Sequence, residues 1–183
     1  PYDPSLAAPP LPVAYGDMVR RVTAGWNVRL LFEPGRVIVG NAGALLTRVV
    51  RVKRGLADSF VIVDAAMNDL LRPSLYDAWH DIRAVVPRGE RFVASIVGPV
   101  CETGDTFATG RDVDRLEAGD AVCFMTAGAY GATMASTYNS RALTPEVMVS
   151  GNKWAIVRER QPLEALIAAD SLPPWLDTDQ ETA

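Results

Sequence analysis

A thiol stands beside a carboxylate in the segment GPVCETGD, residues 98–105, between an apolar run and a glycine turn. Loops that follow strands often present side chains to a cleft. In such a cleft Cys101 could donate a proton to a carbanion, and Glu102 could pair with an amine on a substrate. A buried structural cysteine is the commoner occurrence, so the segment alone leaves both interpretations open.

The segment EPGR, residues 33–36, has the residue types of an anion site. Gly35 permits close approach of a ligand to the backbone, and Arg36 carries a planar guanidinium that suits a phosphate or a carboxylate. Four residues are weak evidence, and taken alone they favour an ordinary strand-ending turn with a salt-bridged arginine.

Two further segments hold candidate ligand contacts. In MNDLLRPSLYDAWH, residues 67–80, Arg72 and Tyr76 could converge on one ligand, although a capped surface turn fits equally well. In GAYGATMASTYNSR, residues 128–141, small residues surround Tyr130 and could bring its ring close to a ligand, although packing is the usual role of such a tyrosine. Spacing alone does not decide between these roles.

The composition argues against several classes of function. The net charge is -4 and no run of Lys or Arg exceeds two residues, which argues against nucleic acid as a partner. No stretch approaches the roughly 20 apolar residues of a membrane span, and the first residues lack the layout of a signal peptide, so we expect no membrane partner and a cytoplasmic protein. The single histidine, His80, and the two cysteines form no zinc spacing. We therefore expect His80 to be structural, the thiols to be reduced and no metal to bind.

Hydrophobic spacing predicts a helix over residues 13–24 and a buried strand over 28–32, which together suggest a piece of an α/β layer. After a turn at 40–43 the pattern changes to short β-rich runs separated by Gly, Pro and Asp, which predicts a β-barrel or β-sandwich. These runs cover residues 45–53, 59–64, 82–86, 91–98, 121–125, 146–149 and 153–158. A short helix is predicted over 162–170 and a disordered tail over 171–183. We therefore expect a chain that is mostly β with some α.

A family resemblance is carried by five segments in a fixed order, namely EPGR, VDAAMNDLLRPSLYDAWH, GPVCETGD, GAYGATMASTYNSR and EVMVSGNKW. Together they make the chain similar to the C-terminal half of the diaminopimelate decarboxylases, over about residues 1–158. Chance agreement of five motifs in order is far less plausible than the ordinary interpretation of any one of them.

The resemblance implies a fold in two parts. In this family a (β/α)8 barrel holds pyridoxal 5'-phosphate, a C-terminal β domain follows it, and the two subunits of a homodimer share the active sites. Residues 1–38 would then be the helix and strand at the end of the barrel, and residues 39–170 the β domain. The expected partners are a small amino-acid substrate and a second copy of the chain.

The resemblance also implies which residues meet the cofactor. Glu33, Gly35, Arg36 and Tyr130 would contact it, with Gly35 facing the phosphate. Arg36 and Tyr130 would reach the substrate as well.

Four other residues would act on the substrate. Arg72 and Tyr76 would hold its distal carboxylate and Glu102 its distal amine. Cys101 would donate the proton that takes the place of carbon dioxide. The implied reaction converts meso-2,6-diaminopimelate to L-lysine and carbon dioxide.

Two alternatives stay open. Related ornithine and arginine decarboxylases share EPGR and a cysteine, but their substrates lack a distal carboxylate for Arg72 and Tyr76, and a buried arginine without its anion costs on the order of 2 to 5 kcal/mol. A non-catalytic binding or regulatory module is the second alternative, because the family's cofactor-binding lysine has no counterpart here. Lys53 and Lys153 fall in predicted strands at other positions, so we expect this chain alone to be inactive.

Overall fold

The computed structural model describes residues 2–3, 5–56 and 58–176. The α-helices within them are α1 Pro12–Val22, α2 Gly35–Val39, α3 Arg72–Tyr76 and α4 Leu163–Ile167. Short 3-10 helices lie at Gly40–Ala42, Ala132–Met134, Tyr138–Ser140 and Pro174–Leu176. Except for the 11 residues of α1, the described α-helices have only five residues each, so they connect and orient segments and do not form the core.

The strands form two sheets in the described part of the chain. The larger contains β1 Leu45–Arg54, β2 Ser59–Val63, β3 Ile82–Ala84, β4 Arg91–Val97, β5 Thr106–Asp114 and β6 Ala121–Phe124, in the order β3-β6-β1-β2-β4-β5. The smaller is the hairpin of β7 Glu146–Ser150 and β8 Lys153–Arg158. Neighbouring strands are antiparallel except for β2 and β4, which run parallel.

The larger sheet curves until its two edge strands approach each other. The backbone N–H of Ala84 in β3 donates to Oδ2 of Asp114 in β5 at 3.2 Å. The pairing of β4 with β5 shifts register after Ala94, and Gly110 in β5 has a φ of 55°, a left-handed conformation that a glycine adopts without strain. These irregularities bend the strands, so the sheet is a nearly closed barrel.

The core lies inside this curved sheet. Val61 and Val63 of β2 are fully buried while Ile62 between them is half-buried, which is the alternation expected of a strand with one face inward. The rings of Phe107 and Phe124 meet at 4.5 Å between centroids, tilted by 40°. Each such fully buried side chain contributes about 1.5 to 3 kcal/mol, so the barrel interior carries the stability of this region.

Two strands differ from the sequence predictions. The prediction of a buried strand over 28–32 is wrong, because this segment has no regular structure and its apolar side chains are exposed, Leu31 by 76%. A buried strand needs hydrogen-bonded neighbours, and no strand precedes Leu45 in the described residues. Conversely, β5 was not predicted, since Gly110 and the charged residues after it interrupt its apolar pattern.

The other predicted elements are confirmed with shifts of a few residues at their ends. The helix predicted over 13–24 is α1, all seven β-rich runs are strands, and the short helix predicted over 162–170 is α4. The tail predicted to be disordered over 171–183 contains the 3-10 helix Pro174–Leu176, so the prediction is wrong for that turn. Residues 177–183 lie outside the described residues, and disorder stays a prediction there. Two further findings concern the described ranges as a whole. None of the helices there is long and apolar enough to cross a membrane. In those same ranges no three His, Cys, Asp or Glu side chains are grouped to hold a metal ion.

Candidate functional site

Two glycines let the loop after β6 pack directly on the segment that follows α2. A Cβ on Gly43 would lie 2.6 Å from the Cα of Gly128, a separation that real Cβ atoms do not show. The N–H of Gly128 donates to the carbonyl of Gly40 at 3.1 Å, which fastens the two segments together. The contact brings Tyr130, from the first segment, beside Arg36 in α2, the helix that precedes the second.

Arg36 and Arg72 converge on two tyrosine rings. Cζ of Arg36 lies 5.3 Å from the ring centre of Tyr130 and 5.8 Å from that of Tyr2. Cζ of Arg72 lies 4.6 Å from the ring of Tyr2 and 5.7 Å from that of Tyr130. All four distances fall within the range of cation–π attraction. We call these four residues the arginine–tyrosine cluster.

The cluster carries positive charge that is not neutralised within the described residues. Arg72 is only 8% exposed, and its Nη1 is buried without a hydrogen-bond partner among them. No carboxylate in the same residues forms an ion pair with Arg36 or Arg72. An unpaired buried guanidinium is costly, so the cluster suits an anionic ligand whose stem can lie between aromatic rings.

His80 borders this cluster as a neutral ring. It is 1% exposed, and its centroid lies 5.4 Å from that of Tyr2 in an edge-to-face arrangement. Burial lowers the pKa of His80, and the charges of Arg72 and Arg111 act in the same direction. Nδ1 lies 2.9 Å from the carbonyl of Met125 and is therefore the protonated nitrogen that donates to it. These contacts agree with the structural role expected for this histidine.

A short helix places Arg72 in the cluster. α3 begins at Arg72, and Pro73 suits its first turn because proline has no N–H to leave unpaired. The helix ends where Asp77 takes a left-handed conformation with a φ of 51°. Tyr76 on the same helix is 62% exposed, and within the described residues no cation–π contact joins it to Arg36 or Arg72.

Tyr130 is held in an unusual backbone conformation. Its φ is 69°, which costs a residue with a Cβ roughly 1 to 2 kcal/mol. Such strained residues concentrate at functional sites, where the surrounding structure enforces them. Tyr130 is 42% exposed, so one side of its ring contacts the arginines and the rest is open to a ligand.

Cys101 and Glu102 lie on the loop between β4 and β5, and both are exposed. The exposure of Cys101 argues against the structural cysteine that the sequence left open. The loop lies against α3, because a Cβ on Gly104 would be 2.8 Å from Oγ of Ser74. Within the described residues no hydrogen bond joins Cys101 or Glu102 to the arginine–tyrosine cluster, and Oε1 of Glu102 accepts only from the N–H of Gly104, at 3.1 Å.

The rest of EPGR stands at the edge of the cluster. Glu33 and Gly35 are exposed, and the N–H of Gly35 donates to the carbonyl of Glu33 at 2.9 Å. A Cβ on Gly35 would meet nothing within 4 Å, so the space beside this glycine is open. The structure therefore brings together Arg36, Arg72 and Tyr130, and the other predicted site residues are exposed.

Two residues of the site were missed by sequence reasoning. Tyr2 contributes a ring to the cluster, although none of the five segments that carry the resemblance contains it. Asp105 anchors the loop of Cys101. It is the last residue of the motif GPVCETGD, but its type and position did not indicate this role. Both act through contacts with residues more than 30 positions away, which spacing cannot reveal.

Neither lysine of the chain belongs to this site. Lys53 lies on β1 and Lys153 on β8, and both are exposed. Both lysines therefore lie in strands, as the sequence predicted.

Comparison with known proteins places this arrangement in a family. Residues 2–128 match the family model of the pyridoxal-dependent decarboxylase C-terminal sheet domain. The diaminopimelate decarboxylase of Zymomonas mobilis is 55% identical over 175 residues, covering 96% of this chain and 42% of that protein. The chain thus spans less than half the length of the curated relatives it matches.

Solved structures agree with the sequence comparison. A diaminopimelate decarboxylase from M. jannaschii superposes with a TM-score of 0.87 at 36% identity, over 96% of this chain and 42% of that one. The Helicobacter pylori diaminopimelate decarboxylase complexed with L-lysine superposes with a TM-score of 0.82 at 39% identity, over 92% of this chain and 41% of that one.

Proposed function

We propose, since the chain belongs to the pyridoxal-dependent decarboxylase family, that it is the substrate-binding and proton-donating part of a diaminopimelate decarboxylase. The complete enzyme, a carboxy-lyase, would convert meso-2,6-diaminopimelate to L-lysine and carbon dioxide. The relatives that carry this name match most of the present chain, at 46% to 55% identity for several of them.

The observation that carries the proposal is the unpaired charge of the arginine–tyrosine cluster. Arg72 is buried, its Nη1 has no hydrogen-bond partner among the described residues, and Arg36 shares the same two rings. A substrate with a second carboxylate at its far end satisfies this charge, whereas ornithine and arginine end in cations that would meet it with like charge. Like-charge contacts cost several kcal/mol, which is the basis for preferring diaminopimelate.

The residues also fit the family's cofactor in part. Arg36 offers a guanidinium to an anion, Tyr130 offers a ring face, and the open space at Gly35 admits a phosphate. Glu33 stands at the start of the same segment and completes the proposed cofactor contacts. Pyridoxal 5'-phosphate, when bound, would supply the sink for the electron pair that stays on the α-carbon when carbon dioxide leaves. The lysine that holds it is not Lys53 or Lys153, and for this reason we expect the present chain alone to be inactive.

The chain's own groups would then control where the substrate lies and where the proton goes. Arg72 and Tyr76 bind the distal carboxylate, Glu102 accepts hydrogen bonds from the distal amine, and Arg36 and Tyr130 align the reacting end. The exposed thiol of Cys101 donates a proton to the α-carbon after carbon dioxide has left. Exposure of both Cys101 and Tyr76 suits contacts made across an interface, so we assign them to sites shared by two copies.

The domain organisation, the cellular location and the oligomeric state are part of the same proposal. We assign residues 1–38 to the end of a (β/α)8 barrel, 39–170 to the C-terminal β domain, and the complete enzyme to a cytoplasmic homodimer. Support comes from large exposed apolar side chains on the hairpin of β7 and β8, such as Met148 and Trp154, which are 64% and 71% exposed. Apolar patches of this kind usually mark an interface.

A genetic test addresses the whole proposal. The full reading frame that contains this chain is expressed in a bacterial strain that lacks diaminopimelate decarboxylase and requires lysine. We expect growth without lysine from the full reading frame, and none from its Cys101→Ser variant or from the 183-residue chain alone. Failure of the wild-type frame to support growth, with folded protein present, would count against the proposed reaction.

A further inference from the structure

Asp105 is a buried carboxylate at the base of the loop that carries Cys101 and Glu102. It is 2% exposed. Its Oδ2 accepts a hydrogen bond from the N–H of Val100 at 2.7 Å, and its carbonyl accepts from Gly98 at 2.9 Å. The loop of residues 98–105 is therefore closed on itself by this one residue.

The second oxygen of the same carboxylate reaches a different segment. Oδ1 of Asp105 accepts from the N–H of Met67 at 2.7 Å, although the two residues are 38 positions apart. Met67 lies in the turn between β2 and α3, five residues before Arg72. One carboxylate thus joins the residue next to Cys101 to the segment that leads into Arg72.

We propose that Asp105 is a positioning residue, which fixes the proton-donating loop of Cys101 relative to the carboxylate-binding helix α3. This inference rests on the proposed function, since it assigns to the two segments the roles given above. Asp105 is buried beneath the loop and acts on the substrate only through Cys101 and Glu102.

The geometry requires a carboxylate at this position. Two backbone N–H groups point at the two oxygens, and a carboxylate is an acceptor at both. Asparagine has the same shape but would turn an NH2 group toward one of the N–H groups, so one tether would be lost. Gly98 preserves the arrangement, because a Cβ there would lie 2.3 Å from both carboxylate oxygens.

The neighbouring loop has its own anchor, so the effect of Asp105 is separable from it. Asn68 donates through Nδ2 to the carbonyl of Ser136 at 3.1 Å and accepts through Oδ1 from Nε of Arg141 at 2.9 Å. These contacts hold the loop of Tyr130 and do not involve Asp105. Loss of the Asp105 tether should therefore disturb the position of Cys101 and leave the arginine–tyrosine cluster in place.

The test uses the full reading frame as a holoenzyme, with the variants Asp105→Asn and Asp105→Glu. Asp120→Asn is the control for loss of a carboxylate outside the site, where Asp120 accepts from the turn N–H of Glu117 at 2.8 Å and also pairs with Arg88. The readouts are kcat for meso-diaminopimelate, Kd for L-lysine, and hydrogen exchange of the segments 66–71 and 98–105. Each value is normalised to the fraction of the protein that is folded.

For Asp105→Asn we expect kcat to fall about 10- to 100-fold, since a displacement of about 1 Å between reacting groups can cost 100-fold. Kd for L-lysine should change less than about 3-fold, because the contacts with the carboxylate of L-lysine remain. A 3-fold change is less than half of the 1.36 kcal/mol that a tenfold change represents. Exchange in 98–105 should accelerate. Asp105→Glu keeps both acceptors on a longer arm, so it should fold and still lose about 10-fold in kcat by the same displacement. Asp120→Asn should match the wild type.

Two failures are distinguishable. If the wild-type holoenzyme is active and both Asp105 variants retain its kcat per folded molecule, Asp105 has no positioning role and only this inference falls. If the wild-type protein releases no carbon dioxide from diaminopimelate, the proposed function falls. Hydrogen exchange then decides whether Asp105 fixes the loop. If the backbone amides of 98–105 are as well protected in Asp105→Asn as in the wild type, the proposed tether is refuted.

Discussion

Replacing Arg72 by methionine should weaken ligand binding strongly and change the stability of the protein little. Arg72 is 8% exposed, and in the part of the chain that the structure describes its Nη1 has no hydrogen-bond partner. Its removal therefore eliminates an unsatisfied buried donor, which is worth about 1 to 3 kcal/mol. The same change removes cation–π contacts with Tyr2 and Tyr130, which are worth about 0.5 to 2 kcal/mol. The two effects oppose each other, and we expect the free energy of unfolding to stay within about 2 kcal/mol of the wild type.

Binding should respond far more strongly than stability. Truncating one partner of a buried charge pair costs about 2 to 5 kcal/mol, which corresponds to a loss of about 30- to 5000-fold in affinity at 1.36 kcal/mol per tenfold. Calorimetric titration of the complete protein with L-lysine and with cadaverine measures this loss. L-lysine keeps the carboxylate that Arg72 is expected to bind, and cadaverine lacks it. We expect Arg72→Met to weaken L-lysine by at least about 30-fold and cadaverine by less than about 3-fold.

Arg111→Met is the control for loss of a partly buried arginine. Arg111 stacks 4.5 Å from the ring centre of Trp79 and lies outside the arginine–tyrosine cluster, so its loss should leave both affinities nearly unchanged. Equal weakening of L-lysine and cadaverine by Arg72→Met would refute the assignment of Arg72 to the carboxylate. A loss of more than about 4 kcal/mol of stability, beyond the range for most single substitutions, would refute the claim that its charge is uncompensated.

Three further results are expected. Burial lowers the pKa of His80 below its usual 6.5, so the unfolded chain binds more protons than the folded one as the pH falls below about 6.5, and stability is lost there. His80→Asn should flatten this fall in chemical denaturation between about pH 5 and 7, and an unaltered slope would exclude His80 as its source. Gly43→Ala should cost about 1 to 3 kcal/mol through overpacking against the opposing backbone, whereas Gly16→Ala in α1, where a Cβ meets nothing within 4 Å, should gain about 1 kcal/mol of stability. Similar melting curves for the two glycine variants would contradict the close contact. An alkylating reagent should modify the exposed Cys101 before Cys123, since burial raises the pKa of the Cys123 thiol. Substrate should protect the enzyme from inactivation, and equal inactivation of a Cys101→Ser variant would locate the sensitive group elsewhere.

The sequence predicts local structure well where local forces decide it. The alternation along β1 and the apolar run of β4 need only their own residues to be recognised, and both are strands. β5 was not predicted, because Gly110 interrupts its apolar pattern at the bend of the sheet. The segment 28–32 has a strand's composition, but composition cannot supply the neighbouring strands that its backbone needs.

The candidate site shows the same division. The residue types in EPGR and GPVCETGD suggested anion binding and proton transfer, and the structure brings Arg36 next to Arg72 and Tyr130. The tether from Asp105 to Met67 could not be predicted, because it depends on how the β4–β5 loop folds against a turn 38 residues earlier in the chain. Long-range contacts of this kind follow from the closed sheet and not from spacing.

The most direct test of the account is carbon dioxide release by the full reading frame with added pyridoxal 5'-phosphate, supplied in parallel with meso-diaminopimelate, ornithine or arginine. We expect release from diaminopimelate alone, in step with the formation of L-lysine. Comparable release from ornithine or arginine would show that the arginine–tyrosine cluster does not select a distal carboxylate. No release from any of the three, by a folded protein that binds the cofactor, would contradict the assignment of this chain to a decarboxylase and favour a binding module.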